Sequence, residues 1–145
     1  MKNTVAFSCE IGTTDPSAEL GMEIWLDNQK IFDVVHVKSP VKCQASVSDN
    51  DGEHQLRFVM KNKTIDLTQI DEGGKILKDA CLTIGQVTFD EIALGHMFIE
   101  QTKYTHDFNG TRAEITEKFY GEMGCNGTVR LDFTTPIYLW LLEHM

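Results

Sequence analysis

The chain has no long apolar run. Its longest, residues 137–142, is six residues, against the ~20 that a membrane-spanning helix needs. It is poor in positive charge, with 13 Lys plus Arg against 22 Asp plus Glu and a formal net charge of −9. No run of basic residues stands anywhere along it, and a phosphate backbone is repelled by such a balance, so the sequence argues against a nucleic-acid partner. The acidic excess suits solubility, cation binding or contact with a basic surface. Cysteines are few and dispersed: Cys9, Cys43, Cys81 and Cys125 show neither CxxC nor the Cys/His spacing of a zinc site. Four scattered thiols fit a reducing compartment better than a disulfide framework, two bridges being the open alternative.

Catalytic motifs are missing as well. The histidines at 36, 54, 96, 106 and 144 form no HxH or HExxH, no Ser/His/Asp grouping stands out, and no glycine-rich phosphate loop follows a strand. His106-Asp107 could move a proton, but any chain of this size offers such a pair. The expectation is a non-catalytic protein. The N-terminal MKNTVAFSCEIG has one lysine and no seven-residue apolar stretch, which is not a secretory signal; a soluble protein is expected. Three Asn-x-Thr sites, at 62, 109 and 126, read as turn residues rather than glycan acceptors.

What is present is alternation. Val5-Phe7-Cys9-Ile11, Met22-Ile24-Leu26, Leu56-Phe58-Met60, Val87-Phe89 and Val129-Leu131-Phe133 put apolar side chains at every second position. A period of two sends one set of side chains to a core and the other to water. Strands are expected over about 4–11, 20–27, 30–37, 41–47, 53–62, 80–86, 87–94, 97–108 and 128–134, with 112–119 as a strand or a helical turn. Asn28-Gln29 is the expected hairpin loop between the second and third, and Asp49-Asn50-Asp51-Gly52 the hairpin turn before the fifth. Residues 65–78 read as irregular with a Gly73-Gly74 tip, and Gly85 as the mark of a bulge. Eight to ten short strands imply an all-β fold, an antiparallel β-sandwich or jelly-roll-like architecture. Residues 1–145 are expected to form one domain, with 41% apolar and 24% charged residues arguing against disorder. Thr135 is the expected N-cap and Pro136 the first turn of a short C-terminal helix, apolar all round; an extended docked tail is the other reading.

Three constellations are candidates for binding. Glu23, Trp25 and Asp27 fall on the outward phase of their strand. An indole flanked by carboxylates can stack on sugar C–H bonds while the acids accept sugar hydroxyls; a strand, loop or subunit covering Trp25 is the plainer reading. Asp49 and Asp51 bring hard oxygens together and are the candidate calcium ligands, although the spacing is not that of an EF-hand and a solvated hairpin turn is the plainer reading. No other cofactor is expected. Tyr138, Trp140 and Leu141 in the tail are residues suited to a subunit contact, with docking on the chain's own sheet as the alternative.

Several stretches, 21–33, 51–64, 85–95, 106–111 and 120 through the tail, together about half of the chain, resemble small β-sandwich proteins of large tailed bacteriophages, those of marine cyanobacteria in particular. That resemblance implies a virion structural or accessory protein, in the virion or the host cytoplasm, whose partners are copies of itself or other virion proteins. The hairpin MEIWLDNQKIFD and the segment LTIGQVTFDEIAL also resemble calcium-dependent, xylan-binding β-sandwich carbohydrate-binding modules. The loop calcium ligands of those modules find no residue-by-residue match here. The two resemblances share a non-catalytic sandwich that binds something, a virion partner in one case and a polysaccharide in the other.

Overall fold

Two antiparallel sheets face each other across a common core in a computed structural model that describes residues 4–64, 69–70, 72–73 and 76–144. One sheet contains β1 (Thr4–Thr13), β4 (Val41–Ser48), β8 (Leu82–Phe89) and β12 (Glu122–Met123) in the order β12-β8-β1-β4, with β9 (Ile92–Ala93) folded back on β8. The other contains β2 (Gly21–Leu26), β3 (Gln29–Val34), β5 (Gly52–Lys61), β10 (Thr102–His106), β11 (Ile115–Lys118) and β13 (Gly127–Thr135) in the order β11-β10-β13-β5-β2-β3. A small pair, β6 (Gln69–Ile70) with β7 (Ile76–Lys78), and two short helices, α1 (His96–Gln101) and α2 (Ile137–His144), complete the described elements. The architecture is an all-β antiparallel sandwich.

The alternation read from the sequence is the alternation of the core. Val5, Phe7, Cys9 and Ile11 of β1, Met22, Ile24 and Leu26 of β2, Leu56, Phe58 and Met60 of β5, and Val129, Leu131 and Phe133 of β13 are all buried. Aromatic rings in the core meet edge to face: Phe58 of β5 meets Phe98 of α1 at 5.8 Å between centroids, and Phe98 meets Phe119 at 5.9 Å. Cys9 and Cys43 stand directly opposite each other on β1 and β4. Their side chains are hydrogen-bonded, which with burial pushes the Cys9 thiol far up while Cys9 holds the Cys43 thiol below its ordinary value. Lys63 is one of four buried polar side chains among the described residues, with Thr102, His106 and Thr135. Its buried ammonium donates to the Asp79 carboxylate and the Gly124 carbonyl, which offset its desolvation.

The structure departs from the sequence reading where local signals compete with packing. Residues 49–52 do not close a hairpin: β4 pairs with β1 and β5 with β2 and β13, so this corner carries the chain from one sheet to the other. Residues 97–108 are not one strand, because α1 occupies 96–101 and turns Phe98 inward before β10 begins; Thr102 closes the helix by donating to the Phe98 carbonyl at 2.7 Å. The two expected strands over 80–94 are one strand, β8, and a two-residue turn at Asp90-Glu91, both with positive φ, returning to β9. The bulge lies beside Gly85, at Gln86 with φ 49°, where the β1 register shifts between Ser8 and Glu10. In the β2–β3 hairpin the loop is Asp27-Asn28, one residue earlier than expected, and Ile31 is the extra residue of a bulge. Strand β3 stops at Val34, and 112–119 yields the exposed edge strand β11. The expected irregular stretch over 65–78 lies partly outside the described residues, and the β6–β7 pair stands within it.

The tail is a helix docked on its own sandwich, but it is not buried all round. Ile137, Trp140 and Leu141 pack inward, while Tyr138, Leu139 and Leu142 stay exposed. Thr135 is the last residue of β13 rather than the cap; its hydroxyl donates to the Asn50 carbonyl. The cap comes from across the corner, where Asp49 Oδ1 accepts the Ile137 N–H at 2.8 Å.

Phe58 is fully buried at the centre of β5 and touches α1. Phe58→Ala should lower unfolding free energy in urea by about 3–5 kcal/mol. A loss under about 1 kcal/mol would mean that this ring does not anchor the core.

Candidate functional site

The outer face of the six-stranded sheet carries Trp25. Strand register explains its surroundings. Trp25 lies opposite Lys30 on β3 and opposite Arg57 on β5, and residues directly opposite share a face. The Lys30 ammonium is 5.7 Å, and the Arg57 guanidinium 5.6 Å, from the centre of a Trp25 ring, so the half-exposed indole has a cation from each neighbouring strand. Two residues earlier on the same face, Glu23 accepts the indole N–H at 3.1 Å and a hydrogen bond from Lys61 at 2.8 Å. Lys61 also donates to Asp33 at 3.0 Å, and Lys30 to the other Asp33 oxygen at 3.1 Å.

The carboxylates are ionised groups with committed partners. Hydrogen bonding from Lys61 holds Glu23 below its ordinary value, against a desolvation that pushes it up, and the indole N–H adds to the lowering. Asp33 is held down first by Lys61 and then by Lys30. Lys61 is raised in turn by Glu23 and Asp33. A depressed carboxylate keeps its charge down to lower pH than a free one. The indole therefore retains its acceptor through the acidity at which an isolated carboxyl protonates. Exposed pairs of this kind add little to stability, ~0–1 kcal/mol each; their effect is to orient the ring.

Asp27 does not join Trp25 as the alternation implied, because β2 ends at Leu26 and Asp27 turns with φ 54°. Its carboxylate accepts the Gln55 N–H at 2.9 Å and lies 2.9 Å from His54 Nδ1. His54 Nε2 in turn is 3.1 Å from the Thr135 hydroxyl. An acid, a histidine and a hydroxyl in line resemble a nucleophile relay, but Thr135 is only 5% exposed and gives its one hydrogen to Asn50. This chain ties the hairpin to the corner and to the start of α2; it does not present a free nucleophile. His106 and Asp107 do not act together either. The His106 ring packs on Tyr104 and lies 3.2 Å from Glu117, while Asp107 accepts from Gly110 N–H in its own turn.

Asp49 and Asp51 sit on the corner between the sheets. Asp49 spends one oxygen on the helix, the Asn50 carbonyl is taken by Thr135, and Asp51 faces solvent. Two carboxylates fall short of the six to eight oxygens that calcium collects, and among the described residues no three His, Cys, Asp or Glu side chains cluster as metal ligands. The corner fits helix capping better than calcium. Of the tail candidates, Trp140 and Leu141 are 3% and 4% exposed and belong to the chain's own core, against Phe89, Phe133 and His144; Tyr138 is on the surface with its hydroxyl donating to Asp90.

The sequence reading missed Lys30, Asp33, Arg57 and Lys61. Arg57 and Lys61 lie on the outward phase of β5, and that signal was available; Lys30 and Asp33, three residues apart, share the face only through the bulge at Ile31. Which strand neighbours which was not available from the sequence.

Asp49→Ala should lower stability by about 0.5–2 kcal/mol through loss of the cap and of a negative charge at the helix N-terminus. Urea unfolding in EDTA checks this. An unchanged midpoint would remove Asp49 from the capping role.

No protein-family model and no curated protein sequence matches the chain. Among the described residues no helix is long and apolar enough to cross a membrane. Among solved structures, the chain is similar to a carbohydrate-binding module from work linking two calcium-dependent families by circular permutation. The TM-score is 0.49 with 9% sequence identity, over 88% of this chain and 89% of that one. At that level the likeness does not bear on what this chain binds, and none of these comparisons bears on a phage origin.

Proposed function

We propose that this protein is a non-catalytic carbohydrate-binding module whose platform is the Trp25 face of the six-stranded sheet. The observation that carries the reading is the oriented indole: half-exposed, held at its N–H by Glu23, and ringed by Lys30, Asp33, Arg57 and Lys61. An aromatic side chain fixed at its edge by Glu23, with the cations of Lys30 and Arg57 over the ring, offers a sugar an apolar surface to stack on and charged groups to pair with its hydroxyls. Polysaccharide is the partner class. Calcium is tested as an accessory rather than assumed.

Binding to a panel of soluble polysaccharides by affinity electrophoresis, with calcium and with EDTA, should reveal at least one ligand. Trp25→Ala should weaken that binding about tenfold or more, the scale of one lost aromatic stack of ~1.4 kcal/mol. No retardation by any polysaccharide, or binding indifferent to Trp25, would overturn the platform. Binding that disappears in EDTA would restore a calcium role.

A second reading, assembly with copies of itself or with other virion proteins, is favoured by one observation. Leu139 and Leu142 of α2 are 58% and 69% exposed beside half-exposed Tyr138. On this reading light scattering should show a defined multimer that Leu139→Glu with Leu142→Glu converts to monomer. A monomer at every concentration would set self-assembly aside.

A further inference from the structure

The outer face of the six-stranded sheet holds a charge pattern that spans the whole sheet. Following the register from one edge to the other, Lys118 of β11 is opposite Lys103 of β10, Lys103 opposite Arg130 of β13, Arg130 opposite Arg57 of β5, Arg57 opposite Trp25 of β2, and Trp25 opposite Lys30 of β3. Every strand contributes one residue to this row, and five of the six are cations. With strands ~4.8 Å apart, the row is about 24 Å long. In a chain with 13 basic residues and a net charge of −9, this is a concentrated basic stripe.

Folding does not call for such a row. Like charges directly opposite on adjacent strands destabilise a sheet, and three consecutive pairs, Lys118–Lys103, Lys103–Arg130 and Arg130–Arg57, set cation against cation. Lysine on an edge strand can serve to discourage edge-to-edge pairing, which accounts for Lys30 and Lys118 but not for the three inner positions. Adjacent members lie within the ~8 Å screening length of physiological salt, so their fields add. Part of the charge is compensated on the spot. Arg130 is paired with Asp132 at 2.8 Å and Lys30 with Asp33, whereas Lys103 has no ion pair among the described residues.

The rows beside the stripe differ in kind. On one side lie Thr116, Thr105 and Thr128, continuing through Val59 to Glu23 and Asp33. On the other lie Asp132 and Gln55, joined at 3.3 Å. A line of cations bordered by hydroxyls and carboxylates matches a chain that bears negative charges at intervals with hydroxyls between them. We infer that the Trp25 face takes an acidic polysaccharide, one carrying uronate groups, laid across the strands, with the sugar stacked at Trp25 and carboxylates along Arg57, Arg130 and Lys103. This rests on the carbohydrate reading of the Trp25 platform and adds the ligand's charge and direction. A single-stranded nucleic acid would also find cations and an aromatic ring here. Its phosphates would meet Glu23, Asp33 and Asp132 with few hydroxyls to donate to them, whereas a uronate polymer presents sugar hydroxyls to those carboxylates and to the threonine row, so the observations favour the uronate polymer.

The test compares oligogalacturonate and alginate oligomers with neutral xylan and β-glucan oligosaccharides and a single-stranded oligonucleotide, by calorimetry on the intact chain. The acidic oligosaccharides should bind at least tenfold more tightly than the neutral ones and weaken as salt rises. Lys103→Glu with Arg130→Glu, exposed and three and two strands away from Trp25, should cut acidic binding at least tenfold while circular dichroism stays unchanged. Lys103→Ala alone gives a milder variant and should lose less. Equal affinity for neutral oligosaccharides that ignores the double charge reversal would overturn the acidic ligand and leave the Trp25 platform standing. Preference for the oligonucleotide would overturn it in favour of nucleic acid, and no carbohydrate binding at all would overturn both readings.

Discussion

The ladder between β5 and β13 is the constraint on which the rest of the molecule hangs. Nine residue pairs, from Gly127 with Met60 to Thr135 with Gly52, join segments that are distant in the chain. Because side chains alternate strictly, this one register sends Leu56, Phe58, Val129 and Leu131 into the core and Arg57 and Arg130 to the outer face. A slip of one residue would exchange the two sets. The same ladder ends at the corner between the sheets, where Thr135 reaches Asn50 and the chain leaves for α2. Core, outer charged face and docked tail are thus consequences of a single pairing.

The two faces of that sheet meet different physical demands. Inside, apolar area is removed from water and the aromatic rings tile edge to face, with Trp140 closing the end of the sandwich against Phe89 and Phe133. Outside, the ion pairs around Trp25 contribute little to stability, since exposed charges are screened. What they do is limit the rotamers of the indole and its neighbours, so that a ligand would find the ring already placed.

The corner at Asp49–Gly52 shows how one local motif can serve two chemistries. Read as residues, it offers hard oxygens and the turn-forming types that suit calcium or a hairpin. Folded, its oxygens are spent on the protein: Asp49 on the first helical N–H of α2 and the Asn50 carbonyl on Thr135. Asp27 is a parallel case. The alternation placed it beside Trp25, but the strand had already ended, and the carboxylate went to His54 and the Gln55 backbone instead.

The period-two pattern by itself determined the fold class and, strand by strand, which side chains face the core, because an apolar face has to be buried wherever the strand ends up. It also singled out Glu23 and Trp25 as outward residues. It did not determine that α1 interrupts the expected strand over 97–108, since a six-residue helix carries too few turns to print a period. Nor could it assemble the basic stripe. Positions 30, 57, 103, 118 and 130 are far apart in sequence, and no basic run marks them. They become neighbours only through the register of six strands, and three of the five ladders that join them, β10–β13, β13–β5 and β5–β2, pair segments distant in the chain, so that their pairing depends on the whole core closing.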